Sequence, residues 1–329
     1  MFQSHIFIFL PSRVYEDSDD ETTNSSKFSP DVTGQVKHVA KLHGKWWGPQ
    51  GKQAILALHG WQDNAGSFDE LVKFLPEDWS ILAVELPGHG LSSHLPTGIN
   101  YNLYWDGVIA VRRLLKYFKW KDVTLMGHSM GGAISFLYAA CYPDDVEAII
   151  SLDMAGPHID TPAVQVKRSG HIIDKYVNLV SVETRGLPYE EMVDIVEDAY
   201  SGSLTRESCE IMLRRGMYRN PDNPELYHFA RDPRLKVCLL GLDLILEFAS
   251  NVKCRYLNVK AVPEKNKELL FNYKAVLEKI EPSVKEYKYV EVEGKHHVHM
   301  NDPQLVAPHI VEFVEKKPLL QSTLKLLHC

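Results

Sequence analysis

The chain has 329 residues, 45% of them hydrophobic and 24% charged, with a formal net charge of −7. These proportions exclude a disordered or collagen-like chain, and the length admits one large α/β domain or two smaller ones. The acidic balance argues against nucleic acid as a main partner, since phosphate binding needs a basic surface, and no run approaches the ~20 apolar residues of a membrane-spanning helix.

In chain order, the first feature is the apolar run Ile6-Phe7-Ile8-Phe9-Leu10. It is shorter than the usual ~7–15-residue core of a signal peptide and lacks a preceding Lys or Arg, so it is at best a weak targeting signal and secretion is not expected. Residues 1–35 read as a disordered leader, because YEDSDDETTNSSKFS (15–29) is polar and acidic with few apolar anchors. Part of the net charge sits there, between Glu16 and Glu21. Order is expected from Val36, where VKHVAKLHGKWWG reads as two short strands ending in a turn at Gly48-Pro49.

From there, apolar runs alternate with helical spacing. Ala54–Leu58, Ser80–Val84, Asp122–Met126 and Val146–Leu152 read as buried strands. Between them, Ser67–Leu75 reads as a helix with an N-cap serine, Tyr104–Phe118 as an amphipathic helix, and Met130–Cys141 as a Gly/Ala-rich helix able to pack closely on a sheet. Such alternation predicts an α/β fold with a mainly parallel sheet and helices on both faces. Residues 157–250 then hold helix-like stretches, such as Tyr189–Tyr200 and Glu207–Gly216, but no convincing buried strand. The strand pattern returns at Arg255–Val259 and Tyr287–Val292, around a helix-like Lys267–Ile280. The expected organisation is a core of residues 36–156 and 251–318, a helical cap over 157–250, and a tail at 319–329. No internal repeat is present. The cysteines, Cys141, Cys209, Cys238, Cys254 and Cys329, are odd in number and scattered, which suggests idle thiols in a reducing compartment, not disulfides or zinc ligands.

The strongest chemical signal is Gly127-His128-Ser129-Met130-Gly131-Gly132, directly between a strand and a helix. This is the G-x-S-x-G nucleophile elbow in its expected context, with Ser129 at the C-terminal edge of the sheet. The spacing fits neither of the common phosphate-cradling loops. A serine hydroxyl needs a base, and Gly294-Lys295-His296-His297-Val298-His299 follows the last strand with three candidate histidines. A metal site on His296 and His299 is disfavoured, because no Asp, Glu or Cys lies nearby to complete it. Neither metal nor cofactor is expected. The acid that orients the base has two candidates. Asp153 ends strand Val146–Leu152, and Glu264 follows strand Arg255–Val259; Asp153 is preferred. His59-Gly60-Trp61 follows the first buried strand, so the backbone N–H groups of Trp61 and Met130 are the expected oxyanion donors. Leu86-Pro87-Gly88-His89-Gly90 reads as an architectural loop.

Together HGWQDN, ELPGHGLSSH, GHSMGG and GKHHVHMNDP resemble the α/β-hydrolase superfamily, and HGWQDN with KWWGP is similar in particular to its serine hydrolase-like (kraken-like) subfamily. The resemblance spans most of residues 36–316. It implies Ser129 as nucleophile, a helical cap, and His296 as base, through the loop pattern G-x-H-x-x-x-x-x-x-P ending at Pro303. It also implies carboxylesterase-type hydrolysis of a small ester through an acyl-enzyme, an ester that Tyr, Phe and Leu of the cap suggest is apolar, and a cytoplasmic or organelle-lumen location such as the peroxisome. Glu264 stands where the pattern more often has Asp, and so does Glu85, from which little consequence is expected. Thioesterase or amidase chemistry on the same residues, or a receptor-like protein with little turnover, are the alternatives.

Overall fold

Strands covered on both faces must be apolar throughout. Ile55–Leu58 and Ile81–Val84 meet that condition, buried at every residue. The computed structural model describes residues 3–10, 40–178, 185–236, 240–263 and 267–316. In chain order the elements begin β1 (Gln3–Leu10), β2 (Ala40–Trp47), β3 (Ile55–Leu58), β4 (Ile81–Val84), α1 (Leu103–Phe118), β5 (Val123–His128), α2 (Met130–Cys141) and β6 (Val146–Leu152). Helices α3 (Pro162–Asn178), α4 (Tyr189–Ala199) and α5 (Arg206–Gly216) follow, then the short strands β7 (Met217–Arg219) and β8 (Tyr227–Phe229). The chain continues through α6 (Leu242–Asn251), β9 (Arg255–Val262), α7 (Lys267–Ile280), β10 (Glu286–Glu293), α8 (Val298–Asn301) and α9 (Pro303–Glu315).

One sheet of order β1-β2-β4-β3-β5-β6-β9-β10 carries the fold, and from β4 to β10 every neighbour is parallel. β1 and β2 add antiparallel strands at one end. Its two faces bury separate apolar clusters. Val111 and Leu114 of α1, Ile134 of α2, Ile245 of α6 and Val276 of α7 pack on one face; Val306, Ile310 and Phe313 of α9 pack with Phe68 and Leu71 on the other. Each fully buried side chain of this size stabilises the fold by about 1.5–3 kcal/mol relative to exposure.

Three sequence expectations change. Residues 1–35 are not wholly a disordered leader: Gln3–Leu10 pairs with β2 along its length, and Ile8 is buried in the core. The acidic stretch at 15–29 and the tail at 319–329 lie outside the described residues. Where a helix is expected over Ser67–Leu75, the chain makes two 3-10 turns, Ala65–Phe68 and Leu71–Phe74. Asn64, not Ser67, caps the first, accepting from Gly66 N at 2.9 Å, and Gly66 is itself a weak helix former. Within 157–250, α4 and α5 share their own cluster of Met192, Val193, Ile211 and Met212, whereas α6 packs with the helices on the sheet.

Glu85, just past β4, is more consequential than its sequence suggests. It is fully buried and forms a two-pronged ion pair with Arg215 of α5, Nη2 to Oε2 at 2.9 Å, while Oε2 also accepts from Leu91 N at 2.8 Å. An aspartate would fall short by one methylene. Removing one partner of such a pair strands a buried charge. Glu85→Ala is therefore expected to lower unfolding stability by roughly 3–5 kcal/mol, and the double variant Glu85→Gln/Arg215→Met to recover much of it. Urea unfolding of the three proteins checks this.

Candidate active site

The register of the parallel strands brings the motifs to one edge. Leu58 pairs with Gly127, His128 with Leu152, and Leu152 with Val259. The residues just past these pairs therefore emerge side by side at the C-terminal edge, where open α/β sheets hold their ligands. Backbone bonds fasten the turns: Ser129 N donates to Leu152 O at 3.1 Å and Asp153 N to Val259 O at 2.7 Å.

Ser129 occupies φ 50°, ψ −116°, a conformation that costs a non-glycine residue of order 1–3 kcal/mol. The sharp turn that imposes it needs bare backbone on both sides. A Cβ on Gly131 would lie 1.9 Å from Leu58 O, and one on Gly127 2.3 Å from the Gly131 carbonyl. Ser129 is half-buried and lines a cavity of about 670 Å³ together with Trp61, Met130, Asp153 and His296. Met130 is the first residue of α2, and Trp61 sits in the loop after β3, its indole donating to Leu235 O at 3.3 Å.

His296 Nδ1 donates to Asp153 Oδ2 at 2.6 Å. That bond fixes the tautomer and leaves Nε2 as the basic nitrogen. Asp153 is 7% exposed, with φ 51°. Its other oxygen, Oδ1, accepts from Lys260 Nζ at 2.7 Å and from Ala261 N at 2.9 Å. Burial works to raise the Asp153 carboxyl, but His296 and Lys260 hold it below the usual carboxylate range. Glu264, the other candidate acid, lies outside the described residues. Lys260 is missing from the sequence expectations. Its signal was available: a lysine inside the otherwise buried strand Arg255–Val262 demands a buried partner.

Behind His296 lies a second polar cluster. His128 Nε2 donates to the His296 carbonyl at 2.9 Å, and its Nδ1 faces Asp63 Oδ2 at 3.3 Å. Tyr200 donates to Asp63 Oδ1 at 2.8 Å, and Ser203 meets His297 Nδ1 at 2.7 Å. Among the described residues, Asp63, His128 and His297 bring one carboxylate and two imidazole ligand atoms within 4.8 Å of one another, the donor types zinc takes. Asp63 is far from both histidines in sequence, so spacing along the chain could not reveal this grouping. His299 is buried against His128, ring centroids 4.1 Å apart. His89 is also buried, donating to Pro87 O at 3.1 Å, and its ring lies 4.8 Å from that of His59, whose Nε2 accepts from Leu86 N at 3.0 Å.

Residues 53–197 match the profile of the alpha/beta hydrolase fold family. A probable serine hydrolase of Drosophila melanogaster is 40% identical over 89% of this chain and 95% of its own length. A serine hydrolase-like protein of Danio rerio is 35% identical over 84% of the chain and 85% of its own length. Among solved structures, a hypothetical protein of Pseudomonas aeruginosa PAO1 superposes with a TM-score of 0.71 at 27% identity, covering 84% of this chain and 96% of that one. An elbow serine at the edge of such a sheet defines the class, α/β-hydrolase. Within that class the chain belongs to the serine hydrolase-like family, and hydrolysis of a small molecule is the activity this membership supports. No helix among the described residues is long and apolar enough to cross a membrane.

The buried imidazoles give stability a pH dependence. Burial lowers His89 to about 3 and His128 to about 4, and it lowers His59 as well. The unfolded chain protonates them near 6.5, so their contribution is complete above that pH and is lost as pH falls toward 4. The melting temperature is expected to fall steadily between pH 7 and pH 4.5. In His89→Asn the slope is shallower by up to about 1.4 kcal/mol per pH unit, read from denaturant unfolding at stepped pH.

Proposed function

We propose that the protein is a serine carboxylic-ester hydrolase that works through an acyl-enzyme. Ser129 Oγ adds to the substrate carbonyl carbon while His296 Nε2 takes its proton. The carbonyl oxygen becomes an oxyanion held by the backbone N–H groups of Trp61 and Met130. Its collapse breaks the ester bond and expels the alcohol, which receives the proton from His296. A water molecule, deprotonated by His296, then attacks the acyl-enzyme, releasing the acid and restoring Ser129. Asp153 holds the imidazole in the required tautomer and offsets the charge it acquires. Asp153 is preferred to Glu264 for this role.

The observation that carries the reading is the 2.6 Å Asp153–His296 bond at the cavity that Ser129 enters from a strained turn. The same chemistry serves thioesters, whose leaving group is a thiol, and amides. Residues 36–156 and 251–318 form a single catalytic domain in this reading, because Ser129 and His296 come from its two parts. The part of 157–250 that precedes α6 caps it, with Arg168, His171 and Ile172 of α3 on the cavity wall.

A fluorophosphonate probe is expected to label the wild-type protein at Ser129 and to leave folded Ser129→Ala unlabelled. An unlabelled, folded wild type would falsify the esterase reading. Asp153→Asn presents the imidazole with the wrong hydrogen-bond partner and is expected to lower the acylation rate by about 10⁴, with Glu264→Gln close to wild type. Matching rates for wild type and Asp153→Asn would move the orienting role to Glu264. Stopped-flow hydrolysis of a p-nitrophenyl ester measures all three proteins.

A further inference from the structure

Resting on the acyl-enzyme reading, we infer that the cavity selects esters or thioesters carrying an anionic group, a carboxylate or a phosphate, which the cap-side wall binds through Lys175 and Lys236. The chain carries a net −7, yet among the described residues this cavity is lined by Arg168, Lys175, Lys236, Lys260 and Lys295 against one carboxylate, Asp153. Two of these cations are already neutralised: Lys260 by Asp153 at 2.7 Å, and Arg168 by Asp160 at 2.6 Å. Among the described residues, Lys236 and Lys295 donate to backbone oxygens, of Pro233 at 2.9 Å and Gly202 at 2.6 Å. Among the described residues, Lys175, Lys236 and Lys295 have no carboxylate in ion-pair contact.

The arrangement is built, not scattered. Arg168, His171 and Lys175 stand at i, i+3 and i+7 of α3, so a single face of that helix turns the two cations Arg168 and Lys175, with His171 between them, to the cavity. Lys236 meets them from another segment. Burial, and then the neighbouring charges of Lys175 and Arg231, hold its amine below the usual lysine range. Like charges gathered in a partly desolvated wall oppose folding, and a bound anion relieves that repulsion. Tyr104, Met154, Ile172, Leu269 and Tyr273 supply apolar wall. The substrate that fits joins an apolar stem to an anion, with the scissile carbonyl at Ser129.

The test uses two matched pairs. The p-nitrophenyl monoester of adipate is compared with p-nitrophenyl hexanoate, and hexanoyl-CoA with S-hexanoyl-N-acetylcysteamine. The anionic member of at least one pair is expected to have a kcat/KM roughly tenfold higher or more, and added salt to compress the difference. A preference confined to the first pair identifies a carboxylate, and one confined to the second a phosphate. In Lys175→Ala/Lys236→Ala the preference is expected to fall by about tenfold, and in Lys175→Glu/Lys236→Glu to reverse. If Ser129 is labelled by fluorophosphonate but both pairs show equal kcat/KM, the selectivity is overturned and the hydrolase reading stands. If Ser129 is not labelled in folded protein, the hydrolase reading fails and the selectivity with it.

Discussion

A carboxylate buried at the edge of a parallel sheet is tolerable only when its charge is met from several sides. Asp153 is met by the imidazole of His296, the ammonium of Lys260 and the amide of Ala261. Those partners come from β9 and from the loop after β10, so one charge ties together the ends of three strands. Lys260 does more than neutralise it. Oδ1 is committed to Lys260 and Ala261, which leaves Oδ2 for His296 and fixes the direction from which the imidazole is held. Orientation of the imidazole is thus a by-product of satisfying a buried charge.

The same economy joins the segment between β6 and α6 to the sheet. Arg215 of α5 reaches Glu85 past β4, and Asn64 donates to Met212 O at 2.8 Å. Tyr101 donates to Asp232 at 2.9 Å. Each of these bonds lies in a buried place, where an unmade hydrogen bond costs about 1–3 kcal/mol. Contacts of this kind fasten α5 and the segment around Asp232 to the edge of the sheet.

The fold was legible because its signals are local. Buried strands announce themselves as short apolar runs, α1 by its spacing, and the elbow by glycines flanking Ser129. Asp153 was legible as a strand-end acid, and His296 through the loop pattern that ends at Pro303. What could not be read depended on residues distant in the chain. Arg215 and Asp63 each meet a partner from another part of the sequence, and no spacing rule links such pairs; for Lys260 the need of a partner was legible, but not which residue meets it. The stretch at 67–75 failed for a different reason: the side chain of Asn64 captured a backbone N–H that an α-helix starting at Ser67 would not have used. The strand Gln3–Leu10 was hidden by the acidic stretch that follows it.

That strand has a further consequence. β2 would otherwise be the outermost strand on its side, offering a row of bare amides and carbonyls to any passing chain. β1 occupies that row over the full length of β2, from Gln3 opposite Trp47 to Leu10 opposite Ala40. At the far side β10 guards itself, with the charged sequence EYKYVEVE facing outward in part. Gln3–Leu10 thereby becomes the outer strand on that side, and the edge the sheet offers there is set by residues near the N-terminus, far from its chemistry.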